Sequence, residues 1–315
     1  MENQPILELK GISKRFGKIV ANNNINLDLK KGEILALLGE NGSGKTTLMN
    51  MISGIYFPDE GQIFVNGQEV TIKSPQDAYK CKIGMIHQHF KLIDVFTAAQ
   101  NIVLGYNDVK YNIKSIGKTV YEMALKYGFI IDPDKKIYDM SVSEKQTVEI
   151  IKALYRGADI LILDEPTEVL TPQEIDKLFA VLRKMRDDGK SIIIITHKLN
   201  EVMAISDRVS VLRKGEYIGT VKTSETNEKD LTEMMVGQKV ELNIDRSEPV
   251  NTEERLRVDG LNCINKDGVK LLDDVSFTAM SGEILGIAGI AGSGQRELLE
   301  AIAGLQKIES GTIIY

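Results

Sequence analysis

The 315-residue sequence predicts an α/β fold with a mainly parallel core sheet, and three observations carry that expectation. Apolar runs of strand length, at 34–38, 83–86, 160–163 and 192–195, alternate with stretches of helical periodicity, the order expected of parallel strands joined by crossover helices. A glycine-rich loop, Gly39-Glu40-Asn41-Gly42-Ser43-Gly44-Lys45-Thr46, follows the first run and opens a helix expected over 46–53. Part of the chain also recurs: Gly39-Glu40-Asn41-Gly42-Ser43-Gly44-Lys45 returns as Gly289-Ile290-Ala291-Gly292-Ser293-Gly294-Gln295 at an offset of 250.

The elements can be taken in order. The run 34–38 reads as a strand, and the run 83–86 as a second strand ahead of Gln88. Residues 114–129 are amphipathic enough for a helix. The four apolar residues 160–163 read as a buried strand ending at Asp164. Thr171-Pro172-Gln173-Glu174 then supplies an N-cap, a proline at the first helical position and a capping-box glutamate. Ile175, Leu178, Phe179, Leu182 and Met185 follow at helical spacing, a stripe for a core rather than for a ligand. The run 192–195 is the last strand of this series.

The repeat divides the chain. Gly32-Glu33-Ile34-Leu35 matches Gly282-Glu283-Ile284-Leu285 at the same offset, and Gly61 matches Gly311, so three blocks share one register. The expected organisation is a complete first domain over 1–238, a polar linker over 239–254 containing Pro249, and the N-terminal fragment of a second copy over 255–315. That second copy is expected to stop inside the strand corresponding to 63–65.

Composition narrows the function. With 43% hydrophobic and 27% charged residues and no low-complexity tract, the chain can bury a sizeable core. A formal charge of −6 gives no basic excess for coating a nucleic-acid backbone or an anionic membrane, so no nucleic-acid partner is expected. Cys81 and Cys263 are far apart in no metal spacing, which fits a reducing compartment. The first nine residues lack the pattern of a signal peptide, and no apolar run is long enough to span a bilayer. Work at a membrane would therefore depend on a partner.

The loop carries specific chemistry. Gly39-x-x-x-x-Gly44-Lys45-Thr46 between a strand and a helix turns backbone N–H groups around a β-phosphate, and the helix N-terminus adds its dipole. Gly39, Glu40, Asn41, Gly42, Ser43, Gly44, Lys45, Thr46 and Thr47 form the candidate phosphate-binding set. Lys45 reaches the β- and γ-phosphates and Thr46 offers a hydroxyl to Mg²⁺. Asp164 at a strand end suits the metal side, and Glu165 beside it suits a base for the attacking water.

Pro166-Thr167 follows Asp164-Glu165, and the run 192–195 leads into Thr196-His197. This series resembles the ATP-binding-cassette (ABC) ATPases, P-loop NTPases with ATP and Mg²⁺ as ligands. The resemblance implies a mixed core sheet, an antiparallel β subdomain and a helical subdomain over about 91–155 that meets transmembrane permease subunits. It implies Glu165, His197 and Gln88 as catalytic residues, with His197 on the γ-phosphate. It also implies Thr46, Gln88 and Asp164 around Mg²⁺, and Phe16 stacked on adenine, for which core packing is the competing reading. His87 and His89 flank Gln88, but no third metal ligand is apparent nearby.

Where the family has a glycine-rich signature facing ATP on an opposing cassette, this chain has Ser141-Val142-Ser143-Glu144-Lys145-Gln146. Ser141 remains, while Val142, Ser143, Glu144 and Gln146 complete a degenerate signature lacking the close approach that glycine allows. The second loop is altered too, with Gln295 for lysine and Arg296 for the hydroxyl residue. In a head-to-tail pair both defects fall in one composite site. Glu168-Val169-Leu170-Thr171 also departs from the family's usual loop at that point. A two-cassette chain of this kind resembles the ATPases of bacterial simple-sugar and nucleoside importers. That implies a second cassette, in the full-length chain or a homodimer, an extracytoplasmic substrate-binding protein acting indirectly, and a peripheral place on the cytoplasmic face of the bacterial membrane. The alternative is a soluble tandem ATPase acting on ribosomes or nucleic acid.

Overall fold

A computed structural model describes residues 4–105, 113–238, 249, 252–265, 268–289 and 292–315, with the side chains of 113–115 left aside. The chain divides into two compact units, Met1–Val240 and Glu241–Tyr315.

The core of the first unit is a six-stranded sheet of order β10-β9-β3-β8-β7-β6. Its strands are β3 (Ile34–Leu38), β6 (Ile83–Ile86), β7 (Ile160–Asp164), β8 (Ser191–Thr196), β9 (Arg208–Arg213) and β10 (Glu216–Lys222). All neighbours run parallel except β9 and β10. The continuous apolar runs follow from burial on both faces, because successive strand residues point to opposite sides. Ile160, Ile162, Ile193 and Ile195 enter the cluster on one face, and Leu161, Leu163, Ile192 and Ile194 the cluster on the other. Each run therefore needs no polar alternation.

An antiparallel sheet of order β2-β1-β4-β5 covers the first face, formed by β1 (Leu7–Phe16), β2 (Ile19–Leu29), β4 (Glu60–Val65) and β5 (Gln68–Val70). Leu7, Leu9, Ile25 and Leu27 from this sheet share a core with Leu48, Met49 and Ile52 of α1 (Lys45–Ile52). The expected helix over 46–53 thus starts one residue earlier. Two further helices are α2 (Pro75–Lys80) and α3 (Ala98–Val103). On the opposite face α3, α4 (Ile113–Tyr127), α5 (Val142–Tyr155) and α6 (Pro172–Asp187) pack into one cluster with the sheet. The amphipathic stretch 114–129 forms most of α4, and the capping box at Thr171 opens α6 as its sequence requires. Short α7 (Leu199–Ile205) and α8 (Glu228–Val236) close a third cluster over β3 and β9.

The second unit holds a three-stranded antiparallel sheet of order β12-β11-β13, from β11 (Glu254–Ile264), β12 (Lys270–Met280) and β13 (Ser310–Ile314), with α9 (Gln295–Ile302). The strand β11 begins at the last residue of the expected linker, most of which lies outside the described residues. Residues 284–288, aligned with β3 at the offset of 250, form no strand, and Ile284 is 82% exposed. A central parallel strand needs a hydrogen-bonding neighbour on each side. The first unit supplies β8 and β9, and no equivalents of these stand beside 284–288 among the described residues.

Candidate functional site

The glycine loop leaves β3 and enters α1 through Gly44, whose φ of 97° is left-handed. A Cβ there would strike the Ala21 carbonyl and the Asn22 amide. Asn22, fully buried, donates from Nδ2 to the Gly44 carbonyl at 3.2 Å and braces that turn. No side chain caps the first turn of α1, so its orphan N–H groups face the loop.

Lys45 is 6% exposed and folds back into the loop, donating to the Gly39 carbonyl at 2.7 Å and the Glu40 carbonyl at 3.0 Å. Burial lowers its ammonium below the ordinary lysine range, while the charges of Glu165 and Asp164 act in the opposite direction. Thr46, on the first turn of α1, donates its hydroxyl to Asp164 Oδ1 at 3.4 Å, joining the loop to the end of β7. Burial pushes the Asp164 carboxyl upward, the Thr46 hydrogen bond opposes that, and the neighbouring Glu165 charge adds to it.

Glu165 follows β7 with a left-handed φ of 47°, an uncommon conformation for a residue with a side chain. Its N–H donates to the Ile195 carbonyl of β8 at 3.0 Å, which holds the backbone there. Glu165 Oε1 lies 3.0 Å from Nδ1 of His197, just beyond the end of β8. Behind this pair, Thr167 donates to Glu201 at 2.6 Å in the interior, and Lys198 pairs with Glu201 at 3.0 Å. These contacts tie the turn after β7 to the turn after β8.

The loop, Gln88, Glu165, Glu168 and His197 surround a cleft of about 470 Å³, together with Val20 and Ala21. Ser43 and Glu165 border it, and their Oγ and Oε2 atoms are buried without a hydrogen-bond partner. Orphaned polar atoms of this kind cost roughly 1–3 kcal/mol each. A phosphate oxygen beside Ser43 and a water beside Glu165 would relieve both. The residues present therefore fit a nucleotide phosphate chain with a divalent cation near Thr46 and Asp164.

Gln88 donates its amide to Glu168 Oε2 at 2.5 Å, on the cleft wall. Phe16 lies outside the residues lining that cleft. Its ring meets Tyr56 edge-on, with centroids 5.2 Å apart, and remains 42% exposed. Asp59 accepts from the Arg15 N–H at 2.7 Å and from Lys14 at 2.8 Å, holding the end of β1 beside it. His87 borders a different cavity, and burial, then Lys91 and Lys152, lowers it to about 4.

The signature residues stand apart from the phosphate loop. Ser143, Glu144 and Gln146 border a separate cavity of about 520 Å³ that none of the loop residues lines. Ser141 caps α5, accepting from the Glu144 N–H, while the Glu144 carboxylate accepts from the Ser141 N–H at 2.7 Å. Glu144 also pairs with Lys135 at 2.7 Å, so its charge is met locally. Gln146 is 5% exposed and donates to the Pro166 carbonyl at 2.7 Å, a strut from α5 to the turn carrying Glu165.

Sequence reasoning passed over Asn22, Glu201 and the contact of Glu168 with Gln88. No spacing rule signals them, since their partners lie 22, 34 and 80 residues away.

Residues 22–168 match the family described as ABC transporter. The chain carries an ABC transporter ATPase domain. It is 46% identical over 99% of its length to the nucleoside import ATP-binding protein NupA of Lactococcus lactis, covering 62% of that protein. It is 49% identical over 98% of its length to the guanosine import ATP-binding protein NupO of Bacillus subtilis, covering 61%. The chain thus spans about three fifths of the length of these curated relatives. Among solved structures, cbiO1 from Clostridium perfringens, described as part of the ABC transporter complex cbiONQ, superposes with a TM-score of 0.63 at 29% identity. That match covers 71% of this chain and 90% of cbiO1. The ATP-binding cassette MJ1267 in its ADP conformation shares the fold at 23% identity, with a TM-score of 0.67 over 75% of this chain and 100% of its own. As an ABC ATPase domain, the first unit sets the phosphate loop after β3, Asp164 and Glu165 at the end of β7, and His197 just beyond β8, which lies between those two strands.

Proposed function

We propose that this chain binds ATP with Mg²⁺, hydrolyses it, and thereby energises import of a sugar or nucleoside through separate transmembrane permease subunits. The observation that carries this reading is the convergence of Lys45, Thr46, Glu165 and His197 on one cleft, with Asp164 hydrogen-bonded to Thr46, from the ends of three adjacent parallel strands. In it, Lys45 leaves its two loop carbonyls for the β- and γ-phosphates. Mg²⁺, when bound near Thr46 and Asp164, would neutralise phosphate charge. Glu165 Oε2 accepts a proton from the attacking water, and His197 holds Oε1 of the same carboxylate. Phe16 is assigned to the adenine, with its exposed ring as support.

The names of the relatives support import of nucleosides or sugars, and the partial coverage makes that a reading of the longer protein. The second unit reproduces the β2-β1-β4 strand order of the first and the left-handed glycines of its loop, Gly292 and Gly294, which supports its reading as the beginning of a second cassette. The phosphate loop at 39–46 would meet a signature from a second cassette, elsewhere in the full-length protein or in another copy. Among the described residues no helix is long and apolar enough to cross a membrane. In this reading separate permeases hold the ATPase at the cytoplasmic face, with an extracytoplasmic binding protein delivering solute to them.

The test is Mg-ATP binding and steady-state hydrolysis by the purified chain. Lys45→Ala should weaken binding by about 10- to 100-fold, the value of lost charge-assisted hydrogen bonds. Glu165→Gln should retain binding and lower turnover by about 100- to 10,000-fold. Nucleotide binding indifferent to Lys45 would refute the reading. Co-purification with integral membrane proteins rather than with ribosomes would separate import from the ribosomal alternative.

A further inference from the structure

The side-chain amide of Gln88 has two ends, and what faces each end decides what it can hold. One carboxylate oxygen of Glu168 lies within hydrogen-bond distance of it. An ionised carboxylate has no proton to donate, so only the NH₂ group can face Glu168. The amide oxygen must then point the other way, and among the described residues no hydrogen bond is made to it. Both side chains border the cleft that contains Thr46 and Glu165. Divalent cations such as Mg²⁺ take oxygen ligands and never an amide NH₂. A glutamine at such a site works in one of its two flip states only.

We propose that Glu168 is a positioning residue that fixes the flip of Gln88, so that its amide carbonyl, not its NH₂, is presented to the nucleotide-bound cation. Neither the spacing of the motifs nor the charge of Glu168 alone carries this. The function depends on Glu168 as an acceptor, with no cation contact of its own. This inference rests on the ATPase reading, because it needs a cation in the cleft.

The discriminating experiment uses the 315-residue chain with ADP and Mn²⁺, the free Mn²⁺ being followed by electron paramagnetic resonance. Glu168→Leu removes the acceptor and the charge, whereas Glu168→Gln removes the charge and keeps a carbonyl acceptor. Loss of one oriented oxygen should weaken Mn²⁺ binding by about three- to tenfold in Glu168→Leu, and Glu168→Gln should remain within about twofold of the parent. In a Gln88→Ala background, Glu168→Leu should have no further effect, since there is no amide left to orient. Equal weakening by Leu and Gln would assign the effect to charge and overturn the proposal. So would an undiminished effect in the Gln88→Ala background, or no effect of Glu168→Leu at all. Absence of ADP-dependent Mn²⁺ binding in the parent chain would instead sink the ATPase reading on which the proposal stands.

Discussion

The two glycine loops of this chain share two left-handed glycines and differ in chemistry. Gly42 and Gly292 both have a φ of 81°, and Gly44 and Gly294 enter their helices at 97° and 88°. Around them the sheets agree as well: β2-β1-β4 in the first unit and β12-β11-β13 in the second are antiparallel, with left-handed residues at Gly11 and Asn24 in one and at Gly260 and Asp274 in the other. Yet Lys45 donates to two carbonyls of its own loop, while Gln295 donates to the Ile287 carbonyl at 3.0 Å and Arg296 pairs with Glu300 at 2.7 Å. The loop shape is a property of glycine spacing and the antiparallel sheet beside it. Phosphate chemistry needs a cation in the loop and acids delivered by neighbouring parallel strands, and among the described residues only the first unit has both.

Lys45→Gln, which installs the second loop's residue in the first, breaks this comparison most directly. It should weaken ATP by about 10- to 100-fold, measured by titration with a fluorescent nucleotide. The reciprocal Gln295→Lys should create no comparable site, because no counterpart of Asp164 and Glu165 stands beside it among the described residues. A second Lys-dependent site in that variant would show that the loop alone suffices.

Gly44→Ala and Gly294→Ala sharpen the shared part. Each new methyl would meet a backbone carbonyl, of Ala21 or of Leu271, and each φ is left-handed. The strain should cost about 1–3 kcal/mol at each position. Segment-resolved hydrogen exchange should show lost protection around 20–50 in the first variant and around 270–300 in the second. The smallest effect is expected from Ser141→Ala. Loss of its cap should destabilise α5 by about 1 kcal/mol, read as a small fall in the thermal midpoint of the first unit. Unchanged stability would mean that the Glu144 half of the capping box is sufficient.

Much of the first unit was legible because its signals are local. The phosphate loop needs its glycines within six residues, the box at Thr171 closes within four, and the strand runs declare their burial by continuous hydrophobicity. The site was legible only in part. Asp164, Glu165 and His197 announced themselves by motif, but the strut from Gln146 to Pro166 and the pairing of Thr167 with Glu201 join segments that no short pattern connects. That Gln146, a residue of the degenerate signature, is buried could not be read from the motif, since a side chain's direction depends on which face of α5 the core claims.

By itself, then, the sequence determined the elements and the residue chemistry: which segments are strands, where helices begin, and that one loop bears a lysine and the other does not. Local sterics, capping and periodicity act within a few residues, so they can be read along the chain. The tertiary structure alone decided which end of the Gln88 amide is free and that Glu165 sits with a left-handed φ against β8. It also decided that residues 284–288 form no strand while the similar segment at β3 does. Each of those outcomes is set by a neighbour distant in sequence, through a hydrogen bond made or left without a partner.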